Sequence, residues 1–370
     1  MKTVSVMVVE DSAVARELIT STLNSDPRIS VICAVDSAEK ALPLVPRLKP
    51  DVISMDVRLP GMSGIEATQQ IMEECPTPIV IVAADLSNQT VNSSMEALRA
   101  GALSVVEKPT IDSPEAYEAM ARRLCEQFVN LSAVKVVRQR FNAAANRRRV
   151  APTRPPQPAG LGGAVEVVGV VASTGGPPAI ARLLQGLGSA FPAPILVVQH
   201  MGAGFMEGYA SWLGTVCDLK VVLAKDGEEP VAGRVYVGPG RYHLTHQAGR
   251  LRLVGDWTER GHVPSGDMLF GSLAASVGAR GLGVLLTGMG DDGARGLLEM
   301  YRAGAYTIGQ DRATSAVYGM PAAAKALGAV IEELPIGAVA VRIVRLVTGA
   351  PHRRLVRPPA SAKTPRTAAR

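Results

Sequence analysis

The sequence predicts an α/β protein of two doubly wound parallel-sheet domains joined by a linker. Three observations carry that prediction. Short apolar, β-branched runs alternate with helix-spaced segments, as parallel sheets covered on both faces require. Hydroxyl, imidazole and carboxylate residues fall just past the carboxyl ends of those runs, where open α/β sheets bind ligands. A Pro/Gly/Arg stretch that cannot bury a core divides the 370 residues in two.

In the first part, Val4-Ser-Val-Met-Val-Val9 reads as a strand ending in Glu10-Asp11, and Ser12 opens a helix containing Val14, Leu18 and Ile19. Asp51-Val-Ile-Ser-Met55 is a strand ending in Asp56. Ile79-Val-Ile-Val82 is a third, and Leu103-Ser-Val-Val106 a fourth that ends at Glu107-Lys108-Pro109. Three carboxylates and a lysine therefore converge at one end of a sheet. Clustered carboxylates repel unless a hard cation joins them, and Mg²⁺ needs only one or two of them plus water and phosphate oxygens. One carboxylate can then accept a phosphoryl group while Lys108 pairs with it.

Residues 127–164 run through Arg147-Arg-Arg149 into Pro152, Pro155, Pro156, Pro158 and Gly160-Leu-Gly-Gly163, an interdomain linker whose first part, to about Ala145, can extend a helix.

The second part opens with Val165-Glu-Val-Val-Gly-Val-Val171, a strand buried on both faces, then the small-residue turn Ala172-Ser-Thr-Gly-Gly-Pro-Pro178 and a helix. Ser173 thus sits at a strand's carboxyl end beneath a helix N-terminus, whose N–H groups suit an oxyanion as well as they suit an ordinary cap. Pro194-Ile-Leu-Val-Val-Gln199 is a buried strand with His200 at its end. Arg234-Val-Tyr-Val-Gly238 breaks at Pro239-Gly240, and Leu251-Arg-Leu-Val254 belongs to a peripheral ribbon. Leu269 to Val277 is helical. Gly281-Leu-Gly-Val-Leu-Leu286 leads into Thr287-Gly-Met-Gly-Asp-Asp-Gly293, and Ala305-Tyr-Thr-Ile308 is a strand before a helix around Pro321–Leu327. Ser173, His200 and an Asp at 291 or 292 all fall past strand ends, the topology of a nucleophile, a base and the carboxylate that orients it. His243 and His246 lie in the ribbon and His262 in a polar loop, so they compete less well for the base.

Gly288-Met-Gly-Asp-Asp-Gly293 also spells Gly-x-Gly-x-x-Gly between a strand and a helix, with Asp311 imitating a ribose-binding acid. Two carboxylates inside that turn oppose a pyrophosphate, and no base before Arg295 offsets them. A dinucleotide-binding domain is therefore the alternative, not the main reading.

Composition restricts partners. The net charge is +6, but residues 127–165 carry seven Lys/Arg and residues 351–370 six, with no Asp or Glu in either; without those thirteen the balance is −7. The basic character belongs to a linker and a tail rather than to a folded face, so no nucleic-acid partner and no membrane insertion are expected. No apolar run approaches a membrane span, Met1–Met7 is too polar and short for a secretory signal, and Cys33, Cys75, Cys125 and Cys217 lack metal-ligand spacing. They fit reduced thiols in a cytoplasm.

Glu10-Asp11, Asp56 with Val57-Arg-Leu-Pro-Gly-Met-Ser-Gly64, and Lys108 resemble a response-regulator receiver domain over residues 1–126. The resemblance implies a flavodoxin-like fold, Asp56 as phosphoacceptor, Glu10, Asp11 and Asp56 as Mg²⁺ ligands, and Lys108 as the phosphate-pairing lysine. Glu10 stands where Asp is commoner and Ser63 where Asp is frequent. Ala83 occupies the position of a Ser or Thr that hydrogen-bonds the phosphoryl group, and Val105 that of an aromatic switch residue.

Ala172-Ser-Thr-Gly-Gly-Pro177, Val198-Gln-His-Met201, Val235-Tyr-Val-Gly-Pro-Gly240, Pro264-Ser-Gly-Asp-Met-Leu-Phe270, Leu286-Thr-Gly-Met-Gly-Asp-Asp-Gly293 and Gly319-Met-Pro321 resemble, in that order, the catalytic domain of chemotaxis protein-glutamate methylesterases, the CheB family. The likeness spans about 166–348, within a catalytic domain placed at 165–349, with a basic tail at 350–370. It implies a Rossmann-like α/β domain and hydrolysis of glutamate γ-methyl esters on chemoreceptors, with deamidation of receptor glutamines by the same chemistry. Ser173 becomes the nucleophile, His200 the base, Asp292 its partner and Asp291 a variable position; backbone N–H groups of Thr174 and Met289 form the oxyanion hole. No cofactor is expected for hydrolysis. A histidine-kinase phosphodonor is expected, and a receiver that covers the active-site face until Asp56 is phosphorylated. Rivals are a DNA-binding response regulator, which needs a compact helical output domain, and a non-catalytic interaction module.

Overall fold

The computed structural model describes residues 3–83, 88–109, 113–132, 134, 136, 165–255 and 262–349. Two parallel sheets form, one in each part of the chain. The first part runs β1 (Val4–Val9), α1 (Ala13–Asn24), β2 (Ile29–Val35), α2 (Ala38–Ala41), α3 (Val45–Leu48), β3 (Val52–Met55), α4 (Gly64–Glu74), β4 (Ile79–Ala83), α5 (Asn88–Arg99), β5 (Ser104–Glu107) and α6 (Pro114–Ser132). Its five strands take the order β2-β1-β3-β4-β5, all parallel.

Local chemistry sets the element ends. Ser12 caps α1 by accepting from the Ala15 N–H, and Ser63 forms a capping box with Glu66 at the start of α4. Strands β3 and β4 are buried at every position, as their apolar runs require. Helix α6 crosses residue 126 and continues to Ser132, because Leu124, Cys125, Phe128 and Leu131 stay buried in the core.

The second part runs β6 (Val167–Ala172), α7 (Gly176–Gln185), β7 (Ile195–Gln199), α8 (Met206–Val216), β8 (Lys220–Leu223), β9 (Arg234–Val237), β10 (His243–Gln247), β11 (Arg250–Val254), α9 (Gly266–Ser276), β12 (Gly281–Leu285), α10 (Ala294–Arg302), β13 (Tyr306–Gln310), α11 (Met320–Ala326), β14 (Glu332–Leu334) and α12 (Ile336–Thr348). Seven strands pair in parallel in the order β14-β13-β12-β6-β7-β9-β8, and β10 and β11 form a separate antiparallel ribbon. Strands β6, β7 and β12 are fully buried.

Each sheet has its switch point beside its first strand. In the first, the chain leaves β1 for β2 and returns to β3 on the other side, bringing Glu10, Asp11 and Asp56 together. In the second, β7 flanks β6 on one side and β12 on the other, which gathers residues 173, 200 and 287–293. The two parts touch where α5 packs on α7 and α8. A backbone bond crosses there: the Gly175 N–H donates to the Leu103 carbonyl at 3.1 Å. Gly175 has φ +73°, and a Cβ on it would lie 2.4 Å from Ala316 Cβ, so only glycine turns the chain there.

Candidate active site

Ser173 follows directly on buried β6 and is half-buried, at the turn that Gly175 closes before α7 begins. Its N–H donates to the Thr287 carbonyl at 3.0 Å, tying it to the loop after β12. That loop approaches so closely that a Cβ on Gly288 would sit 2.8 Å from Ser173 Cβ.

His200 follows β7, and its N–H donates to the Ala172 carbonyl at 3.0 Å. Its Nε2 lies 2.7 Å from Oδ2 of Asp292. A carboxylate only accepts, so Nε2 carries a proton, and the neutral form of the ring has its lone pair on Nδ1. That Nδ1 is buried and has no hydrogen-bond partner among the described residues, so Ser173 and His200 stand on adjacent strand ends without being joined by a hydrogen bond. Catalytic hydrogen bonds in unliganded sites often close only when substrate arrives.

Asp292 is held from three further directions. Ser265 Oγ donates to Oδ1 at 2.8 Å, the Gly266 N–H to Oδ2 at 2.6 Å and the Asp267 N–H to Oδ1 at 3.0 Å. These donors are the N-cap and first turn of α9, so the carboxylate sits on the positive end of a helix. Burial disfavours its charge, but the His200 hydrogen bond and charge and the two N–H groups outweigh burial and hold it well below the usual carboxylate range. Asp291, its neighbour, is exposed. Of the two carboxylates between which topology alone does not choose, the structure brings Asp292 to His200.

The structure adds a neighbour to His200. The His262 ring stacks on His200 with centroids 4.4 Å apart and planes 11° apart. Burial of its inner face and the nearby His200 push its pKa down, against the pull of Asp292 and Asp291. A histidine in a polar loop gives no sign of such a contact in sequence. His243 and His246 are placed in the ribbon as expected; His246 Nδ1 bonds Ser276 Oγ at 2.8 Å, and His243 Nδ1 accepts from the Ser265 N–H at 3.1 Å.

At the other sheet, Glu10 and Asp56 are buried and Asp11 is exposed, with one ligand atom from each falling within 4.8 Å of the others. Lys108 Nζ lies 2.7 Å from Glu10 and 2.5 Å from Asp56. Burial raises the Glu10 pKa, with Lys108 opposing and Asp56 adding to the rise. Burial works against the Lys108 charge, but its two carboxylate partners raise its pKa overall. Three carboxylates at this spacing are a hard, all-oxygen donor set that fits Mg²⁺. Ala83 ends β4 and Val105 lies in β5, both buried, so neither a hydroxyl nor an aromatic ring stands at those positions. Among the described residues, no helix is long and apolar enough to cross a membrane.

Comparison with known proteins bears on both sites. The family model for CheB methylesterase matches residues 168–343, and that for the response regulator receiver domain matches residues 6–121. The protein-glutamate methylesterase/protein-glutamine glutaminase 2 of Paramagnetospirillum magneticum is 48% identical over 354 residues, covering 94% of this chain and 99% of its own length. The protein-glutamate methylesterase/protein-glutamine glutaminase of Nitrosospira multiformis is 41% identical, covering 93% and 97%. Among solved structures, the catalytic domain of Thermotoga maritima CheB methylesterase is 34% identical over 49% of this chain and 98% of its own, with a TM-score of 0.47.

Proposed function

Since this chain belongs to the CheB methylesterase family and is a receiver-regulated protein-glutamate methylesterase of chemotaxis, we propose that Ser173 is its nucleophile, His200 its general base and Asp292 the carboxylate that orients the base. The observation that carries the assignment is the bond between His200 Nε2 and Asp292, which leaves a buried Nδ1 lone pair for the Ser173 proton.

His200 Nδ1 takes the proton of Ser173 Oγ as the oxygen attacks the γ-methyl ester carbonyl of a receptor glutamate. The tetrahedral oxyanion is held by the N–H groups of Thr174 and Met289. The imidazolium returns the proton to the departing methoxide, and methanol leaves. Water then gives a proton to Nδ1, attacks the glutamyl-serine ester, and releases the free glutamate with Ser173 restored. Asp292 keeps Nε2–H in place and stabilises the imidazolium. A receptor glutamine follows the same path with ammonia as the leaving group, the second activity in the relatives' names. Hydrolysis needs no metal or organic cofactor.

The receiver occupies residues 1–126 with its last helix carried on to Ser132, the linker reaches 164, the catalytic domain covers 165–349, and a basic tail spans 350–370. Asp56 accepts a phosphoryl group from a chemotaxis histidine kinase. Glu10, Asp11 and Asp56 would hold Mg²⁺, which would neutralise the carboxylate cluster during phosphoryl transfer, and Lys108 would pair with the phosphoryl group. The receiver covers the active-site face until then. The Leu103–Gly175 bond supports this, as does Glu107, whose Oε1 would lie 3.1 Å from a Cβ on Gly202, two residues past His200. The setting is the cytoplasm, with methyl-accepting chemoreceptors as substrate.

The test is release of labelled methanol from methylated receptor membranes. The wild-type chain releases it and Ser173→Ala does not; release by Ser173→Ala overturns the assignment.

A further inference from the structure

We propose that Gln199 is a positioning residue for the oxyanion hole, acting through the peptide unit that joins Ser173 to Thr174. This rests on the assignment of Ser173 and Thr174 above. Gln199 is the last residue of β7, is only 1% exposed, and pairs in register with Ala172. Its Nε2 donates to the Ser173 carbonyl at 2.8 Å and to the His200 carbonyl at 3.0 Å. Both protons of one amide are thus spent on the two residues that must meet. Rotating the amide would set its oxygen against two carbonyl oxygens, so the partners fix its orientation.

The Ser173 carbonyl and the Thr174 N–H belong to one rigid peptide unit. A donor on the carbonyl fixes the plane in which the N–H points and polarises it, because hydrogen bonds in series strengthen one another in a low-dielectric site. That carbonyl accepts twice, from Gln199 and from the Gly176 N–H at 2.8 Å. The second hole donor, the Met289 N–H, has the same arrangement. Its unit's carbonyl, on Gly288, accepts from the N–H groups of Gly319 at 3.1 Å and Met320 at 2.9 Å, where α11 begins. One hole peptide is set by backbone alone; the other depends on a side chain.

Gln199 holds its place at a cost. Its Oε1 is buried with no hydrogen-bond partner among the described residues, and it lies against Gly176, where a Cβ would come within 2.1 Å. A buried acceptor left unpaired is disfavoured, so retaining it calls for a return elsewhere. The two bonds from Nε2 supply it.

The experiment uses the full-length phosphorylated chain and methylated receptor membranes. Gln199→Met keeps the volume and removes the donor, and kcat should fall about 10–100-fold with KM within about twofold, as for loss of help to one oxyanion donor. Gln199→Glu loses the donor while its carboxyl is ionised and regains one when protonated; facing two carbonyl oxygens, that carboxyl titrates above the ordinary range. The ratio of Gln199→Glu to wild-type kcat should therefore rise several-fold as pH falls from about 8 to about 6. Every other titrating group is common to both proteins, so the ratio removes its contribution. A folded Gln199→Met with wild-type kcat, a loss confined to KM, or a flat ratio overturns the proposal. Ser173→Ala is assayed beside them: if it stays active the site assignment is at fault, whereas a silent Ser173→Ala with a fully active Gln199→Met sinks the role of Gln199 alone.

Discussion

Lys108 sets its ammonium 2.5 Å from Oδ2 of Asp56, closing the gap between the end of β5 and the end of β3. An incoming phosphoryl group has to take over that contact. Asp56→Asn should therefore abolish labelling by a small phosphodonor and leave esterase activity at its unphosphorylated level. Labelling of that variant at the wild-type rate would place the acceptor elsewhere.

Ala83 and Val105 bear on the size of the response. A hydroxyl at the first position would offer a phosphoryl group a hydrogen bond to a charged acceptor, worth about 1.5–3 kcal/mol, and a ligand shifts an equilibrium only by such differences. Without it, activation by phosphorylation should be weaker. Ala83→Thr should raise the phosphorylated-to-unphosphorylated activity ratio, measured by methanol release. An unchanged ratio means that another group carries the signal.

The proposed triad makes a graded prediction. Ser173→Ala and His200→Ala should each cost on the order of 10³-fold or more in kcat, and Asp292→Asn less, because an orienting group contributes less than a nucleophile. Asp291 is exposed, so Asp291→Asn should stay within about twofold of wild type. Greater damage from Asp291→Asn than from Asp292→Asn would contradict the placement of this loop.

Acid stability follows from Asp292. Its pKa in the folded protein lies below the unfolded value of about 3.9, so its stabilisation is complete above that pH. The stabilisation is lost as pH falls from there toward the folded pKa. Urea midpoints taken between about pH 5 and pH 3 should fall more steeply for wild type than for Asp292→Asn. Parallel curves would show that Asp292 is not the titrating group.

How much of this was legible depends on the kind of signal. Ser173, His200 and the Asp291-Asp292 pair stand after apolar runs, and such runs become buried parallel strands, so topology brings them to one place without choosing between the two aspartates. Strand β2 lies outside that pattern: Val31–Val35 is an unbroken apolar run, yet β2 sits at the edge of its sheet and only Ile29 of its seven residues is fully buried, so no both-face burial marks it. Strand β14 has three residues, two of them glutamates, and is recognisable only by its pairing with β13. The roles of Gln199 and His262 depend on where a side chain ends in space, to within an ångström or so. An amide ending an apolar run and an imidazole in a loop carry no trace of that in order or spacing.

The Leu103–Gly175 bond implies a mode of inhibition. The Leu103 carbonyl of the receiver occupies a backbone donor of the Ser173 turn, and a peptide carbonyl is the group that any stretch of polypeptide substrate would bring. On the proposed function the receiver would act as a tethered competitor. Competition of this kind raises the apparent KM and leaves kcat alone, and its strength is an effective concentration set by the chain between the domains. A fragment beginning near Gly163 should then show the lower KM of the uninhibited enzyme. Quadrupling the linker should dilute the receiver about eightfold at its own catalytic domain, by the −3/2 power of length. Saturating receptor should erase the difference between all three.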